Sequence, residues 1–220
     1  MSPTLPLRTG GNFPVRRIYC VGQNYAEHVR EMGGAPAPGL PCFFMKPPDA
    51  LLGPGARIAY PPETRDFHHE VEFVVALGRG GHRLTATEAQ AAVVAYGVGL
   101  DLTRRDLQAE LKRRGHPWEL AKSFSGSAVI SELVPWNEGL APTTTLRLEV
   151  NGRVRQETTL GMMTHGVGEL LEILSRYDTL AAGDLLFTGT PAGVGPLVPG
   201  DRLLATCGEA RLEAHVANTG

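Results

Sequence analysis

One stretch, Phe67-His68-His69-Glu70-Val71-Glu72-Phe73-Val74-Val75-Ala76-Leu77, limits what this chain can fold into more than any other. Its β-branched and aromatic content, closed by Gly78, reads as a strand. Alternation puts Glu70 and Glu72 on one face, roughly 6.6 Å apart along the backbone. Val71, Phe73, Val75 and Leu77 take the other face, which reads as core. Two like charges about 5 Å apart at an effective dielectric near 20 repel by roughly 3 kcal/mol, before any desolvation. Solvent or basic side chains can relieve this, or a divalent cation can sit between the two. Hard oxygens suit Mg2+, Mn2+ or Ca2+ rather than a soft metal. A bare Glu-x-Glu is more often a solvated outer face, so the rest of the chain has to decide.

The chain has 220 residues, 42% of them apolar, with 27 Gly and 17 Pro. That length suits one large domain or two small ones with a sizeable core. Abundant Gly and Pro favour short strands and turns over a helical bundle. No linker or internal repeat divides the chain, so we expect an N-terminal arm over residues 1–15 and a single domain over 16–220. The formal net charge of -2 offers no global attraction to nucleic acid. The basic run Arg104–Arg114 also holds Asp106 and Glu110 and reads as a solvated, salt-bridged helix face. Cys20, Cys42 and Cys207 are widely spaced, without a zinc pattern or disulfide framework, which suits a reducing cytosol. No stretch reaches membrane-spanning length, and Met1–Gly11 lacks the apolar run of a signal peptide. The expected setting is cytoplasmic, with neither membrane nor nucleic acid as partner.

In chain order, Arg17–Val21 reads as a strand and Asn24–Met32 as a short helix. His28 and Glu31 share a face of that helix. The spacing alone favours a solvated contact; the functional reading is a histidine made more basic by a carboxylate, ready as a general base. Gly33–Pro41 has the composition of a lid. Cys42–Met45 reads as a strand. Thr85 and Glu88 form a capping box for a helix over Thr87–Tyr96. Gly97–Leu102 is a strand that delivers Asp101 to its end, placed either to cap the next helix or to serve as a third oxygen ligand. The helix Thr103–Arg114 puts Arg105 and Gln108 on one face, in line with Asp101. Lys122 sits among apolar and small residues; such a lysine usually snorkels, but beside a metal it stabilises charge. Asn151-Gly152 marks a hairpin between Leu146–Val150 and Val154–Thr158. Met163–Ser175 reads as a helix with a Val167, Leu170, Leu171, Leu174 stripe. Gly183–Phe187 leads into Thr188-Gly189-Thr190-Pro191-Ala192-Gly193-Val194-Gly195, which lacks the Gly-Lys-Ser/Thr of a nucleotide loop. Its N–H groups and hydroxyls can hold a carboxylate.

The ordered set of motifs resembles the fumarylacetoacetate hydrolase family. The matching pieces are Val21-Gly22-Gln23-Asn24-Tyr25-Ala26-Glu27-His28, Phe44-Met45-Lys46-Pro47, His69-Glu70-Val71-Glu72, Gly99-Leu100-Asp101-Leu102-Thr103-Arg104-Arg105, Leu120-Ala121-Lys122-Ser123-Phe124 and the Phe187–Gly195 run. The run from Asp101 to Trp118 tilts the likeness towards single-domain acylpyruvate hydrolases of the fumarylpyruvate type. The resemblance implies a mainly β fold with peripheral helices, a mixed β-sandwich or flattened barrel, and a homodimer. It implies Mg2+ or Mn2+ (Ca2+ suits the same oxygens) held by Glu70, Glu72 and Asp101. Alternation would add His68 to that set, but the family pattern does not use it, and His69 stays behind the ligands. The implied substrate is a 2,4-dioxo acid from aromatic catabolism, cleaved to a carboxylic acid and pyruvate. His28 with Glu31 would activate water, Lys122 would stabilise charge, Arg105 and Gln108 would hold substrate, and Gly189 and Thr190 would donate to its carboxylate end. The lid and the helix before it would close over the site, with His28 far from the metal in an empty enzyme. Gln23 departs from the arginine frequent in relatives. The same apparatus also suits oxaloacetate decarboxylation or a related diacid decarboxylase or isomerase; a non-catalytic metal-binding protein is the remote alternative.

Overall fold

The computed structural model describes residues 3–35, 39–137 and 139–218. The chain opens with a hairpin, β1 (Thr4–Pro6) and β2 (Asn12–Pro14), then β3 (Arg17–Gly22), α1 (Ala26–Glu31) and β4 (Cys42–Lys46). Short β5 (Leu51–Leu52) and β6 (Arg57–Ile58) lead to β7 (Phe67–His69), β8 (Val71–Leu77), α2 (Ala86–Gln90) and β9 (Val93–Asp101). There follow β10 (Thr103–Arg104), α3 (Arg105–Arg114), α4 (Glu119–Lys122), β11 (Ala128–Ile130) and β12 (Val134–Pro135). The chain ends with β13 (Thr145–Val150), β14 (Arg153–Thr159), α5 (Val167–Ser175), β15 (Asp184–Phe187), β16 (Gly195–Pro196), β17 (Arg202–Cys207) and β18 (Ala210–Val216).

The strands build two main mixed sheets. The eight-stranded one runs β4-β3-β15-β8-β9-β11-β5, with β12 also beside β9; the five-stranded one runs β14-β13-β17-β18-β6. Every residue of β8 is buried, as befits a strand covered on both faces. On one side Val71, Phe73, Val75, Val98 and Leu100 share a core with Leu146, Leu148, Leu203 and Leu212 of the second sheet. On the other, Val74, Ala76, Ala95, Leu185 and Phe187 cluster with Leu5 and Phe13 of the hairpin. Helices α2 and α5 pack together outside the sheets, and α5 buries its Val167, Leu170, Leu171, Leu174 stripe. This is the expected mainly β sandwich with peripheral helices. Among the described residues, no helix is long and apolar enough to cross a membrane.

Three local expectations change. The described part of the expected arm, residues 3–15, packs on the sheet, with Leu5, Phe13 and Val15 buried in the second core cluster. The Thr85–Glu88 capping box forms, but α2 stops at Gln90. Val93–Tyr96 are strand instead, since their backbone pairs with β8 and β12. The lid reading of Gly33–Pro41 falls partly on residues 36–38, which lie outside the described residues. The Asn-Gly hairpin is as expected: Asn151 (φ 54) and Gly152 (φ 73) both take left-handed conformations.

Candidate active site

The carboxylates meet because the long strand breaks. Glu70 separates β7 from β8, and Glu72 then pairs with Gly99 on β9. Asp101, two residues on, donates its N–H to Glu70 O at 2.9 Å. A Cβ on Gly99 would approach the Phe187 ring to 2.7 Å, so close packing beside the site requires glycine there. Glu70, Glu72 and Asp101 are buried, and one carboxylate oxygen of each lies within 4.8 Å of the others. The break also diverts His68 from the face that alternation would give it. Its Nε2 lies 2.8 Å from Asp66 Oδ1, and Arg105 Nε lies 3.4 Å from its Nδ1.

Three buried cations surround the carboxylates: Lys46, Lys122 and Arg105. Lys122 Nζ donates to Glu70 Oε2 at 2.9 Å, Asp101 Oδ2 at 2.8 Å and Thr103 Oγ1 at 2.7 Å. Arg105 bonds Glu70 Oε1 and, at 2.5 Å, Gln108 Oε1. Lys46 Nζ is 2.8 Å from Asp101 Oδ1. It lies off the line of a hydrogen bond, so that oxygen has no aligned donor. Glu72 Oε2 accepts from Gly189 N–H at 2.7 Å and has no ion pair among the described residues. Burial pushes the Glu70 carboxyl up, but Lys122 and Arg105 outweigh it and hold Glu70 below the usual carboxylate range. Glu72 moves the other way: burial, then Asp101 and Glu70, push its carboxyl well up. Burial opposes the Lys122 ammonium, and Asp101 and Glu70 keep it raised nonetheless. A buried carboxylate without a cation, beside a carboxylate oxygen without an aligned donor, fits a divalent metal held by hard oxygens.

His28 is buried and lines the same cavity, of about 410 Å³, as Glu70, Glu72, Asp101, Lys122, Arg105, Gln108 and Thr190. Here it faces the same cavity as the carboxylates. His28 Nδ1 lies 3.0 Å from Glu31 Oε2, which marks Nδ1 as the protonated nitrogen and leaves Nε2 its lone pair. Gln23, with φ 64, lines the cavity as a neutral amide.

Residues 17–217 match the family model described as fumarylacetoacetate (FAA) hydrolase C-terminal. The chain belongs to the fumarylacetoacetate hydrolase family. Oxaloacetate tautomerase of Escherichia coli K12 is 44% identical to it, over 89% of this chain and 90% of its own. Fumarylpyruvate hydrolase of a Ralstonia species is 40% identical, over 74% of this chain and 84% of its own. Fumarylpyruvate hydrolase from Pseudomonas aeruginosa, solved in complex with Mn2+ and pyruvate, superposes with a TM-score of 0.95 at 40% identity. That match covers 99% of this chain and 97% of the other.

Within this family site, Gly189 and Thr190 both bond to the acidic strand. Gly189 N–H holds Glu72, and a Cβ on Gly189 (φ 100) would come within 2.8 Å of Asn24 Cβ. Thr190 Oγ1 donates to Val71 O at 2.9 Å. Both bonds position the acidic strand, and Thr190 also lines the cavity. Two residues escaped the sequence reading. Lys46 was visible only as part of a motif. Gln156 gave no signal, because it is the one buried position in β14, where its neighbours Arg155 and Glu157 are exposed. Its Oε1 accepts from Val71 N–H at 2.9 Å and faces His69 Nδ1 at 3.0 Å. Its Nε2 donates to Thr190 Oγ1 at 2.8 Å and Pro191 O at 2.9 Å. Gln156 thus clamps the segment that presents the glutamates to the loop at Thr190–Pro191.

Proposed function

We propose that this chain is a metal-dependent hydrolase that cleaves the C–C bond of a 2,4-dioxo acid, an acylpyruvate such as fumarylpyruvate, to a carboxylic acid and pyruvate. One observation carries the reading. A single cavity joins the buried Glu70, Glu72 and Asp101 cluster to a histidine oriented by Glu31. The P. aeruginosa relative, solved with Mn2+ and pyruvate, supports both the metal and the product.

Glu70, Glu72 and Asp101 would hold Mg2+ or Mn2+. When bound, the metal supplies Lewis acidity towards the 2-oxo oxygen, where negative charge grows. His28 Nε2 takes a proton from water as the water oxygen bonds the 4-oxo carbon. The bond between C3 and C4 then breaks, its electron pair passes towards the 2-oxo group, and protonation at C3 completes pyruvate. Lys122, kept charged by its carboxylate partners, stabilises developing negative charge. Arg105 and Gln108 hold the carboxylate end of the substrate. Lys46, Lys122 and Arg105 balance the three carboxylates, so a bound dication leaves two positive charges for a dianionic acid. We further infer a homodimer, which light scattering tests, serving aromatic catabolism.

The E. coli relative favours a second reading, keto–enol tautomerisation of oxaloacetate. That reaction moves a proton between C3 and the 2-oxo oxygen and needs no attacking water. Decarboxylation of oxaloacetate draws on the same charge stabilisation. The test follows loss of the enol absorbance of fumarylpyruvate with Mn2+ and then with chelator, beside enol-oxaloacetate. Chelator-sensitive release of fumarate and pyruvate supports hydrolysis. Turnover of oxaloacetate alone makes tautomerisation or decarboxylation the activity, according to whether CO2 appears.

A further inference from the structure

Helix α3 lays one stripe of side chains along the cavity: Arg105, Gln108, Ala109 and Lys112 all line it. Their i, i+3, i+4, i+7 spacing is a single helix face. At 1.5 Å per residue, Lys112 stands about 10 Å further along the axis than Arg105. Arg105 lies at the buried end, bonded to Glu70; Lys112 is exposed, at the mouth. The last turn of α3 carries Lys112, Arg113 and Arg114. Arg113 also lines the cavity but pairs with Glu110, as does Arg114 outside it, whereas Lys112 has no carboxylate partner among the described residues. The same cavity is also lined by the apolar side chains of Val21, Val29, Met32, Phe44 and Trp118. The cavity therefore combines a buried charged end, apolar walls and, on the exposed last turn of α3, a lysine without a carboxylate partner among the described residues.

We infer that Lys112 binds a second carboxylate at the far end of the substrate, so that the site selects dicarboxylic 2,4-dioxo acids over acylpyruvates with an apolar acyl group. The inference rests on the 2,4-dioxo acid reading above and adds which members of that class are taken. In a seven-carbon dioxo diacid, six C–C bonds of ~1.5 Å in an extended zigzag separate the end carbons by roughly 7–8 Å. The flexible four-carbon stem of lysine spans the remaining distance. The linking carbons then lie against the apolar walls of the cavity.

The test compares kcat/KM for fumarylpyruvate and acetylpyruvate, which share the dioxo acid end and differ in the distal carboxylate. It uses the Mn2+-loaded wild type, Lys112→Met and Arg114→Met. Lys112→Met is expected to lower the fumarylpyruvate-to-acetylpyruvate ratio about five- to tenfold, mainly through KM. Arg114→Met removes the same charge from outside the cavity and is expected to keep the ratio. Added salt should lower the ratio in the wild type and hardly in Lys112→Met. An unchanged ratio in Lys112→Met, or an equal drop in both variants, overturns the inference. If the wild type cleaves neither acid, the hydrolase reading fails on its own account. Calorimetry of fumarate binding then still decides the role of Lys112: weaker binding in Lys112→Met supports it, and equal affinity overturns it.

Discussion

Glu31 Oε1 accepts a hydrogen bond from Gly193 N–H at 2.9 Å. That bond ties α1 to the loop after β15, while the other oxygen of the same carboxylate faces His28 Nδ1 at 3.0 Å. One side chain therefore both anchors the helix to that loop and sets the imidazole tautomer.

Glu31→Gln separates those two tasks. The amide oxygen can still accept from Gly193, but an NH2 group now faces Nδ1. The imidazole proton is driven to Nε2, where a base needs its lone pair. Turnover should fall about 10²–10⁴-fold, with Mn2+ affinity unchanged. Steady-state kinetics beside a Mn2+ titration by electron paramagnetic resonance checks this. A matching loss of metal affinity would place Glu31 in the metal site instead.

Gln156→Leu tests the clamp behind the glutamates. It strands His69 Nδ1, Val71 N–H and Pro191 O, all bonded to Gln156 in the wild type. Buried groups left without partners cost about 1–3 kcal/mol each, so the metal-free protein should lose about 3 kcal/mol or more in denaturant unfolding. Mn2+ affinity should drop about 10–100-fold, as for partners that orient metal ligands. Lost stability with full metal affinity would leave Gln156 a packing residue only.

The sequence and the structure agree best where the chemistry is local. Glu70, Glu72 and Asp101 could be read as oxygen ligands because two lie two residues apart on a strand and the third ends the next predicted strand. His28 and Glu31 were legible as neighbours on one helix face. Gln156 was not, since its partners His69 and Thr190 lie 87 and 34 residues away. The start of α2 was plain from its capping box, but its end was not. Ala91-Ala92-Val93-Val94-Ala95-Tyr96 satisfies helix and strand alike, and pairing with β8 decides it. Residues 1–15 look like an arm by composition; burial of Leu5 and Phe13 on the sheet is a tertiary fact.

Glu72 gives the metal-free protein a pH dependence of definite sign. Burial, Asp101 and Glu70 raise its carboxyl, so the folded chain holds that proton more tightly than the unfolded one. The stability due to this group is complete below the unfolded value of ~4.3 and is lost as pH rises towards the folded value. Glu70 has the opposite sign: its contribution is present above the ordinary carboxylate range and is lost as pH falls. Metal binding has to displace the Glu72 proton, so apparent Mn2+ affinity should rise with pH and release a proton. Calorimetry in two buffers of different ionisation enthalpy measures that proton. An affinity independent of pH would mean that Glu72 is already ionised.

Lys122→Met removes the ammonium that bridges Glu70 and Asp101. Breaking a buried pair on one side destabilises by about 3–5 kcal/mol. The metal-free variant should unfold at lower denaturant, and Mn2+ should restore part of the loss by taking over the charge. Turnover should still fall about 10²–10³-fold. A variant that is destabilised but fully active when loaded would confine Lys122 to holding the carboxylates.

The most direct measurement of the central claim is the fate of the water oxygen. Fumarylpyruvate is incubated with the Mn2+-loaded protein in water enriched in oxygen-18, and the products are weighed by mass spectrometry. Hydrolysis at C4 places one labelled oxygen in the carboxylate newly formed on fumarate, with pyruvate released in equal amount, and chelator abolishes both. Loss of the enol absorbance with no labelled fumarate and no pyruvate would contradict the hydrolase reading and leave proton transfer as what this site performs.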